Sequence, residues 1–319
     1  MAFVSRARLA AAVSAAGGLG VIGASGMPTS VLAAEIDAVR AETDRPFGVN
    51  IIPRFAEHEH IELCVEREVP VVTFFWDEPP QGWIESLDAA GIRVWIQAGS
   101  PAEAEAAVAV GASAVIAQGS GAGGHNRSVA GTISLVPAVV DAVAPVPVLA
   151  AGGIGDGRGI AAVLALGAEA AVLGTRFLAS EEADAHPDYK RRVIEAGVGD
   201  TARTWIFGFD FPDAQVRGLR NELVREWEHR DWPPPYRDLD PAEQPVIGAT
   251  ELYGQELPLA RFTGLPPTMA ATGELEQMSL LAGESVGLID EIAPAAAIVE
   301  QLAAHARATI AERFRARIP

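Results

Sequence analysis

Short apolar runs recur along the first half of the chain, and each is followed by a stretch with a helical pattern of apolar positions. The runs start roughly 22 to 32 residues apart, the spacing of a strand followed by a helix. They are apolar at consecutive positions, as expected for a parallel sheet covered by helices. The seven predicted strands are residues 19–23, 47–52, 69–76, 93–98, 114–118, 146–151 and 170–174.

The stretches between these runs carry apolar residues at i, i+3 and i+4, the spacing of an amphipathic helix. Gly91, Gly111 and Gly167 follow three of them, and glycine is the residue most often found just after a helix. The pattern therefore predicts an α/β fold with a parallel sheet. The predicted helices are residues 30–43, 56–68, 82–90, 101–110, 132–143 and 157–166.

Seven strands leave two architectures open. A (β/α)₈ TIM-type barrel needs eight strands, so either one strand is missing or the sheet is open. The alternation stops near Ser180, and tryptophans, charges and the run Pro233-Pro234-Pro235 replace it. We predict a barrel domain over residues 1–200 and a smaller, mostly helical lid over 201–272. Over 273–319 we predict helices that return to the barrel, at 274–283 and 294–314.

The charge of the chain narrows the range of partners. Its 319 residues include 24 Lys and Arg and 42 Asp and Glu, for a formal net charge of −18. Nucleic acids and anionic membranes bind positively charged surfaces, so we expect neither as a main partner. Cys64 is the single cysteine. That excludes a disulfide framework and a multi-thiolate metal site, and it fits a reducing compartment.

The N-terminal region is uncharged from Leu9 to Ala34 and follows two arginines, a pattern shared by signal peptides and membrane spans. Glycines and Pro28 interrupt it, which argues against both. A short helix over residues 8–16, ended by Gly17-Gly18, and a strand over 19–23 explain the same residues. We therefore expect a cytoplasmic protein.

Two glycine-rich loops follow the last two predicted strands. One contains Gly152 and Gly153, and the other contains Gly174 and Thr175. In (β/α)₈ barrels such loops commonly bind a phosphate, because backbone N–H groups approach its oxygens. Tight turns alone are the alternative. A third loop, 119–124, matches G-x-G-x-x-G but does not lead straight into a helix, so it does not indicate a dinucleotide site.

His125 ends that third loop, at the end of a strand where barrel active sites lie. Its imidazole has an ordinary pKa near 6.5, which makes it a candidate general base, with a structural role as the alternative. His58 and His60 are two residues apart and do not share a helix face. We interpret that tract as a solvated helix face and predict no metal site.

Five motifs occur in order along the chain: Phe47-Gly48-Val49-Asn50, Ala117-Gln118-Gly119 with Ala122-Gly123-Gly124-His125, Ala150-Ala151-Gly152-Gly153-Ile154 with Asp156-Gly157-Arg158, Leu173-Gly174-Thr175-Arg176-Phe177-Leu178, and Met278-Ser279-Leu280-Leu281-Ala282-Gly283. Together they resemble the nitronate monooxygenase family, formerly called 2-nitropropane dioxygenases. The resemblance implies an FMN-binding (β/α)₈ barrel with a smaller helical domain over the flavin. Carried over by position, the flavin contacts are Asn50, Gln118, Gly123, Gly152, Gly153, Gly174 and Thr175.

The resemblance also implies an activity, the oxidation of alkyl nitronates by oxygen to a carbonyl compound and nitrite. His125 would take the α-proton of a neutral nitroalkane or orient a nitronate, and FMN would supply the redox chemistry. NAD(P)H-dependent quinone reductases and enoyl-acyl-carrier-protein reductases share this barrel and stay as alternatives, as does a non-catalytic FMN-binding protein. The implied partners are a small-molecule substrate and oxygen. The oligomeric state is left open, a homo-oligomer included.

The family pattern places an apolar strand before the first helix, and residues 1–5 align with the end of the turn after it. We therefore expect the first barrel strand to be missing. Two sheet edges, at residues 19–23 and 170–174, would then carry unpaired backbone groups. We expect residues from elsewhere to fill the gap, or the protein to be poorly soluble and weak in FMN binding. A natural seven-stranded variant is the alternative.

Overall fold

The computed structural model describes residues 1–208, 215–229, 240 and 243–314. Its first eight strands are β1 (Gly20–Gly23), β2 (Phe47–Ile51), β3 (Val71–Phe74), β4 (Arg93–Ala98), β5 (Ala114–Gln118), β6 (Gly124–His125), β7 (Val148–Ala151) and β8 (Ala170–Val172). All but β6 form one sheet in the order β1-β2-β3-β4-β5-β7-β8, and each neighbouring pair is parallel. The carboxyl ends of these strands therefore meet at one face.

Helices follow the strands, as the periodicity predicts. In the second helix Leu32, Ile36 and Val39 lie on one face and are fully buried, so their burial against the sheet stabilises the helix in place. This alternation confirms an α/β fold of TIM-barrel type with seven strands. The helices are α1 (Ala7–Ala15), α2 (Thr29–Glu42), α3 (His58–Glu66), α4 (Gln81–Ala89), α5 (Pro101–Ala109), α6 (Thr132–Val143), α7 (Gly157–Ala165), α8 (Thr175–Leu178), α9 (Pro187–Glu195), α10 (Glu222–Trp227) and α11 (Ala295–Thr309).

The segment that follows the barrel is rich in strands. They are β9 (Thr201–Thr204), β10 (Val216–Leu219), β11 (Val246–Leu252), β12 (Gln255–Ala260) and β13 (Thr272–Gly273). They form two three-stranded sheets, β6-β10-β9 and β12-β11-β13. The prediction of a mostly helical lid is therefore wrong for the described part of residues 201–272, where α10 is the one α-helix. The proline run at 233–235 lies outside the described residues.

A two-residue turn explains why this segment is a hairpin. Tyr253 and Gly254 join β11 to β12, and both have positive φ angles, 55° and 79°. Such a turn matches the twist of paired strands. The usual sequence signal is Asn-Gly or Asp-Gly, so the Tyr-Gly pair concealed it. The helix predicted over 274–283 is also absent there: a 3₁₀ turn, Leu275–Gln277, precedes residues 278–283, which the structure leaves outside any helix.

The sheet is open between β1 and β8, and neighbouring residues cover part of its edge. The Ser5 hydroxyl donates to the Val21 carbonyl at 2.6 Å, and the Gly23 N–H donates to the Ser5 carbonyl at 2.8 Å. Met1 lies across the same gap, with its carbonyl oxygen 2.5 Å from the point a Cβ on Gly23 would occupy. Ser5 thus satisfies two of the backbone groups that an eighth strand would bond. In the described part of the chain, no helix is long and apolar enough to cross a membrane.

Candidate active site

Polar side chains form pairs at the carboxyl ends of neighbouring strands. Asn50 is the penultimate residue of β2 and donates from Nδ2 to the Thr73 hydroxyl on β3 at 2.8 Å. Gln97 on β4 donates from Nε2 to Oε1 of Gln118 on β5 at 2.6 Å. Because the strands are parallel, both pairs lie at the same end of the sheet. Asn50 and Gln118 were predicted site residues. Their partners were not, and the available signal was a polar residue near the end of an apolar strand.

The loops at 119–124 and 152–155 pack directly on each other. Gly152 has a φ of 106°, and a Cβ there would lie 2.9 Å from the Gly119 carbonyl oxygen and 3.0 Å from the Ala122 nitrogen. Gly153 has a φ of 73°, and a Cβ there would meet no atom within 4 Å. Position 152 thus requires glycine because other backbone atoms approach it closely, whereas Gly153 presents its backbone to open space. An open, left-handed glycine backbone suits a bound anion.

A segment from the far end of the chain closes this group of loops. The Gly283 N–H donates to the buried Thr175 hydroxyl at 3.0 Å, and the Glu284 N–H donates to the Gly121 carbonyl at 2.9 Å. Gly123 touches the same segment, since a Cβ there would lie 2.5 Å from the Gly283 nitrogen. The structure therefore brings Gly123, the 152–153 glycines and Thr175 together. Gly174 adjoins them, and there the Met1 sulfur would lie 3.6 Å from an added Cβ.

A different element positions His125. It lies in β6, opposite Val216 of β10, so the glycine loop is tied to the lid at this residue. Burial, helped by the positive charge of Arg54 and partly offset by a backbone hydrogen bond involving Phe207, lowers the pKa of His125 to about 4. The imidazole is therefore neutral at pH 7. A neutral imidazole carries one N–H donor and one acceptor nitrogen.

Trp76 packs its edge against the His125 ring, with the ring centroids 6.1 Å apart. Its backbone φ is 75°, a left-handed conformation that is a genuine outlier for a bulky residue. Arg127 stabilises this arrangement by donating to the Trp76 carbonyl at 2.6 Å and placing its guanidinium 5.7 Å from the ring centroid. Strained backbone of this kind clusters at functional sites. No sequence pattern indicated Trp76.

The histidine tract on α3 has two different environments. His58 is exposed and lies 3.7 Å from Glu62, as a solvated face predicts. His60 is buried, so that prediction is wrong for it. One ring nitrogen accepts from the Glu57 N–H at 3.0 Å and the other lies 2.8 Å from the Met27 carbonyl, which fixes Nε2 as the donor. His60 thus caps the helix and ties it to the segment before α2.

The sequence model of the nitronate monooxygenase family matches residues 1–60 and 53–305. The chain belongs to the nitronate monooxygenase family. It is therefore a flavin-dependent oxidoreductase by family, as the resemblance predicted. A relative from Mycobacterium tuberculosis, (3aS,4S,5R,7aS)-5-hydroxy-7a-methyl-1-oxo-octahydro-1H-indene-4-carboxyl-CoA dehydrogenase, is 41% identical over 232 residues. That match covers 72% of this chain and 63% of the relative, so the chain spans less than two thirds of that protein.

Two solved structures are similar along nearly the whole chain. FabK from Thermotoga maritima has a TM-score of 0.80 and 35% identity, covering 100% of this chain and 94% of FabK. Nitroalkane oxidase from Streptomyces ansochromogenes has a TM-score of 0.76 and 30% identity, covering 98% and 95% of the two chains. Solved structures with this fold carry different enzyme names, so the fold alone does not identify an activity. The residues of the site must be used to distinguish between activities.

The residues present fit a flavin cofactor that carries a phosphate. The observation that tests this is the pair of adjacent left-handed glycines, of which Gly153 faces open space beside the buried Thr175. Such a cradle suits one phosphate. The amide side chains of Asn50 and Gln118 can both donate and accept hydrogen bonds, as a flavin ring requires. Each keeps partial exposure at its strand end.

Proposed function

We propose that this protein is an FMN-dependent enzyme that oxidises alkyl nitronates with oxygen to carbonyl compounds and nitrite. The observation that supports the proposal is the environment of His125, a neutral imidazole beside Trp76 and in the field of Arg54. A nitronate is an anion, so a neutral donor and a nearby cation favour its binding. The family and the nitroalkane oxidase neighbour point to the same substrate class.

The residues that would hold FMN divide into two groups. Gly152, Gly153, Gly174 and Thr175 would bind its phosphate, and Asn50, Gln118 and Gly123 would contact the rest. When bound, FMN supplies the electron-transfer chemistry that the oxidation needs. The protein contributes placement, and Trp76 with the glycine loop shields His125 from water. Purified protein should release FMN, and release of FAD would contradict the phosphate cradle.

His125 acts on the substrate in one of two ways. Toward a nitronate, its N–H donates a hydrogen bond to an oxygen of the anion and orients it. Toward a neutral nitroalkane, its free ring nitrogen must first accept the α-proton. A pKa of about 4 makes His125 a weak base, so removal of the α-proton from a nitroalkane is slower than the reaction of a nitronate, which needs no base. Pre-formed nitronates should therefore be the better substrates.

The test compares His125→Ala with the wild-type protein on a nitroalkane and on its nitronate. Loss of a general base typically costs about 10² to 10⁴-fold in rate. We expect such a loss with the nitroalkane and a smaller loss with the nitronate. His58→Ala is the matched control, because His58 is exposed, and it should leave both rates unchanged. Equal losses on both substrates would mean that His125 positions the substrate and removes no proton.

A flavin reductase or dehydrogenase acting on a coenzyme A thioester is the second candidate. The 41% identity to the Mycobacterium tuberculosis dehydrogenase favours it, together with the similarity to FabK. A neutral His125 suits this chemistry as well, since proton transfer at the carbon next to a thioester carbonyl needs a group that can donate or accept a proton. A side-by-side assay of propionate 3-nitronate, nitroalkanes, and NADH with quinones or with a coenzyme A thioester separates the two. Strong NAD(P)H oxidation without nitronate turnover would favour the reductase.

A further inference from the structure

Two arginines lie side by side on the sheet β6-β10-β9. Arg203 of β9 is directly opposite Arg217 of β10, and Arg217 is directly opposite Gly124 of β6. Residues directly opposite each other in antiparallel strands point to the same face. The two guanidinium groups therefore share one face of this sheet, and Gly124 adds no side chain beside them. Like charges in this position destabilise a sheet.

The two arginines differ in how well their charges are compensated. Arg217 donates to the Ser120 carbonyl at 3.0 Å and to the Thr201 hydroxyl at 3.2 Å, and it lies 3.1 Å from a Glu284 carboxylate oxygen. Arg203 makes one long hydrogen bond, to the Asn126 carbonyl at 3.3 Å. Within the described ranges no carboxylate lies within 4 Å of it, and its buried Nε has no hydrogen-bond partner.

An uncompensated cation in this position is costly. Burial lowers the pKa of Arg203, and the charge of Arg217 lowers it further, so the folded protein disfavours this charge. Two other arginines of this region pair with carboxylates, Arg217 with Glu284 and Arg220 with Glu228. A bound anion would offset the charge of Arg203, because it can accept from the terminal N–H groups of that guanidinium.

We propose that Arg203 and Arg217 form a binding site for the phosphate group of a nucleotide-bearing cosubstrate. Guanidinium groups bind phosphate oxygens through paired, directional N–H donors, and two adjacent ones match a dianion. Glu284 lies between this site and the glycine cradle that would hold the FMN phosphate: its carboxylate pairs with Arg217, and a Cβ on Gly121 would lie 2.8 Å from Glu284 Oε2 and 3.5 Å from the Gly153 Cα. His125 follows Gly124 in β6 and lies opposite Val216, so its imidazole is on the other face of the strand from the two guanidinium groups. Coenzyme A and NADPH are the two sources of such a phosphate.

The experiment measures binding to the FMN-loaded full chain, so the cradle is filled and no turnover is needed. The probes are inorganic phosphate, coenzyme A, NADPH and NADH, and the readouts are the melting temperature and the Kd from calorimetry. The variants are Arg203→Met and Arg217→Lys, with Arg191→Met as the control because its side chain is 58% exposed on α9. Arg217→Lys keeps the charge and the fold but loses the paired donors.

The wild-type protein should bind coenzyme A or NADPH and melt at a higher temperature with it. NADPH binding without NADH binding identifies the nucleotide, and coenzyme A binding alone identifies the thioester carrier. Arg203→Met should weaken that Kd at least tenfold and, without any anion, should melt at or above the wild-type temperature. A lower melting temperature for Arg203→Met, with unchanged ligand binding, would overturn the proposal. It would mean that Arg203 stabilises the loop that it contacts and binds no ligand. Because binding is measured without turnover, this result is independent of the nitronate assay.

Discussion

Gly123→Ala tests how tightly the flavin loop is packed against the C-terminal segment. An added Cβ at Gly123 would lie 2.5 Å from the Gly283 nitrogen, 2.6 Å from the Ala282 carbonyl carbon and 2.9 Å from the Ala282 Cα. All three are backbone atoms, so no side chain can rotate away. The φ of Gly123 is not in the left-handed region, so alanine meets no backbone strain there. The substitution therefore isolates a steric effect.

The expected loss of stability follows from the distance by which the two segments must move apart. Ordinary contact begins at 3.4 Å, so Gly283 and the Gly123 loop must separate by about 0.9 Å. Overpacking of this kind costs about 1 to 3 kcal/mol. The same movement breaks the buried bond from Gly283 to Thr175, which costs about 1 to 3 kcal/mol more. We expect a loss of about 2 to 6 kcal/mol against a typical total of about 5 to 15 kcal/mol.

Urea unfolding of the FMN-free protein and titration with FMN measure the two consequences. Gly123→Ala should unfold at a lower urea concentration and bind FMN more weakly, because Thr175 is displaced. Gly82→Ala is the first control: its site on α4 is open, and alanine should stabilise the helix by up to about 1 kcal/mol. Gly153→Ala is the second, with open space but a φ of 73°, and should cost about 1 to 2 kcal/mol. An unfolding midpoint and FMN affinity equal to wild type for Gly123→Ala would refute this packing argument.

Three further predictions concern single groups. The pKa of His125 is lower in the folded than in the unfolded chain, so its contribution to stability is complete above about pH 6.5 and is lost as the pH falls toward 4. In urea unfolding, His125→Gln should not show this loss of stability at low pH. Ser5→Ala leaves the Val21 carbonyl unbonded and should cost about 1 to 3 kcal/mol in the same assay. Trp76→Gly removes a backbone strain of about 1 to 3 kcal/mol and opens the site, so NMR titration should show the pKa of His125 rising toward 6.5.

Periodicity predicted the barrel because its strands are buried on both faces and its helices on one. Val72 and Val115 are fully buried, and such residues leave an unbroken apolar run in the sequence. The lid has no comparable signal. Its strands are short or half-exposed, and Tyr253 takes a turn position that most tyrosines avoid, so composition suggested helices where the chain forms hairpins.

The sequence nominated Gly152, Thr175 and His125 as site residues from one residue and its place after a strand, and their role stays a prediction. The partners of site residues depend on register and on contacts across the chain, which no local pattern contains. Gln97 meets Gln118 only because β4 and β5 are neighbours, and the strained φ of Trp76 results from its contacts with Arg127 and His125.

Residues distant in sequence complete the proposed phosphate cradle. Whether the cradle is ordered therefore depends on other parts of the fold. Thr175 meets Gly283 across 108 positions, and the fully buried Tyr189 on α9 donates to the Leu281 carbonyl two residues before it. The turn at 281–283 therefore has fixed contacts on both sides. Glycine loops lose much conformational entropy when they are ordered, so a preformed contact lowers the cost of binding a phosphate. If these residues bind a phosphate, we therefore expect packing in the last third of the chain to contribute to the affinity, and the glycines to provide the space.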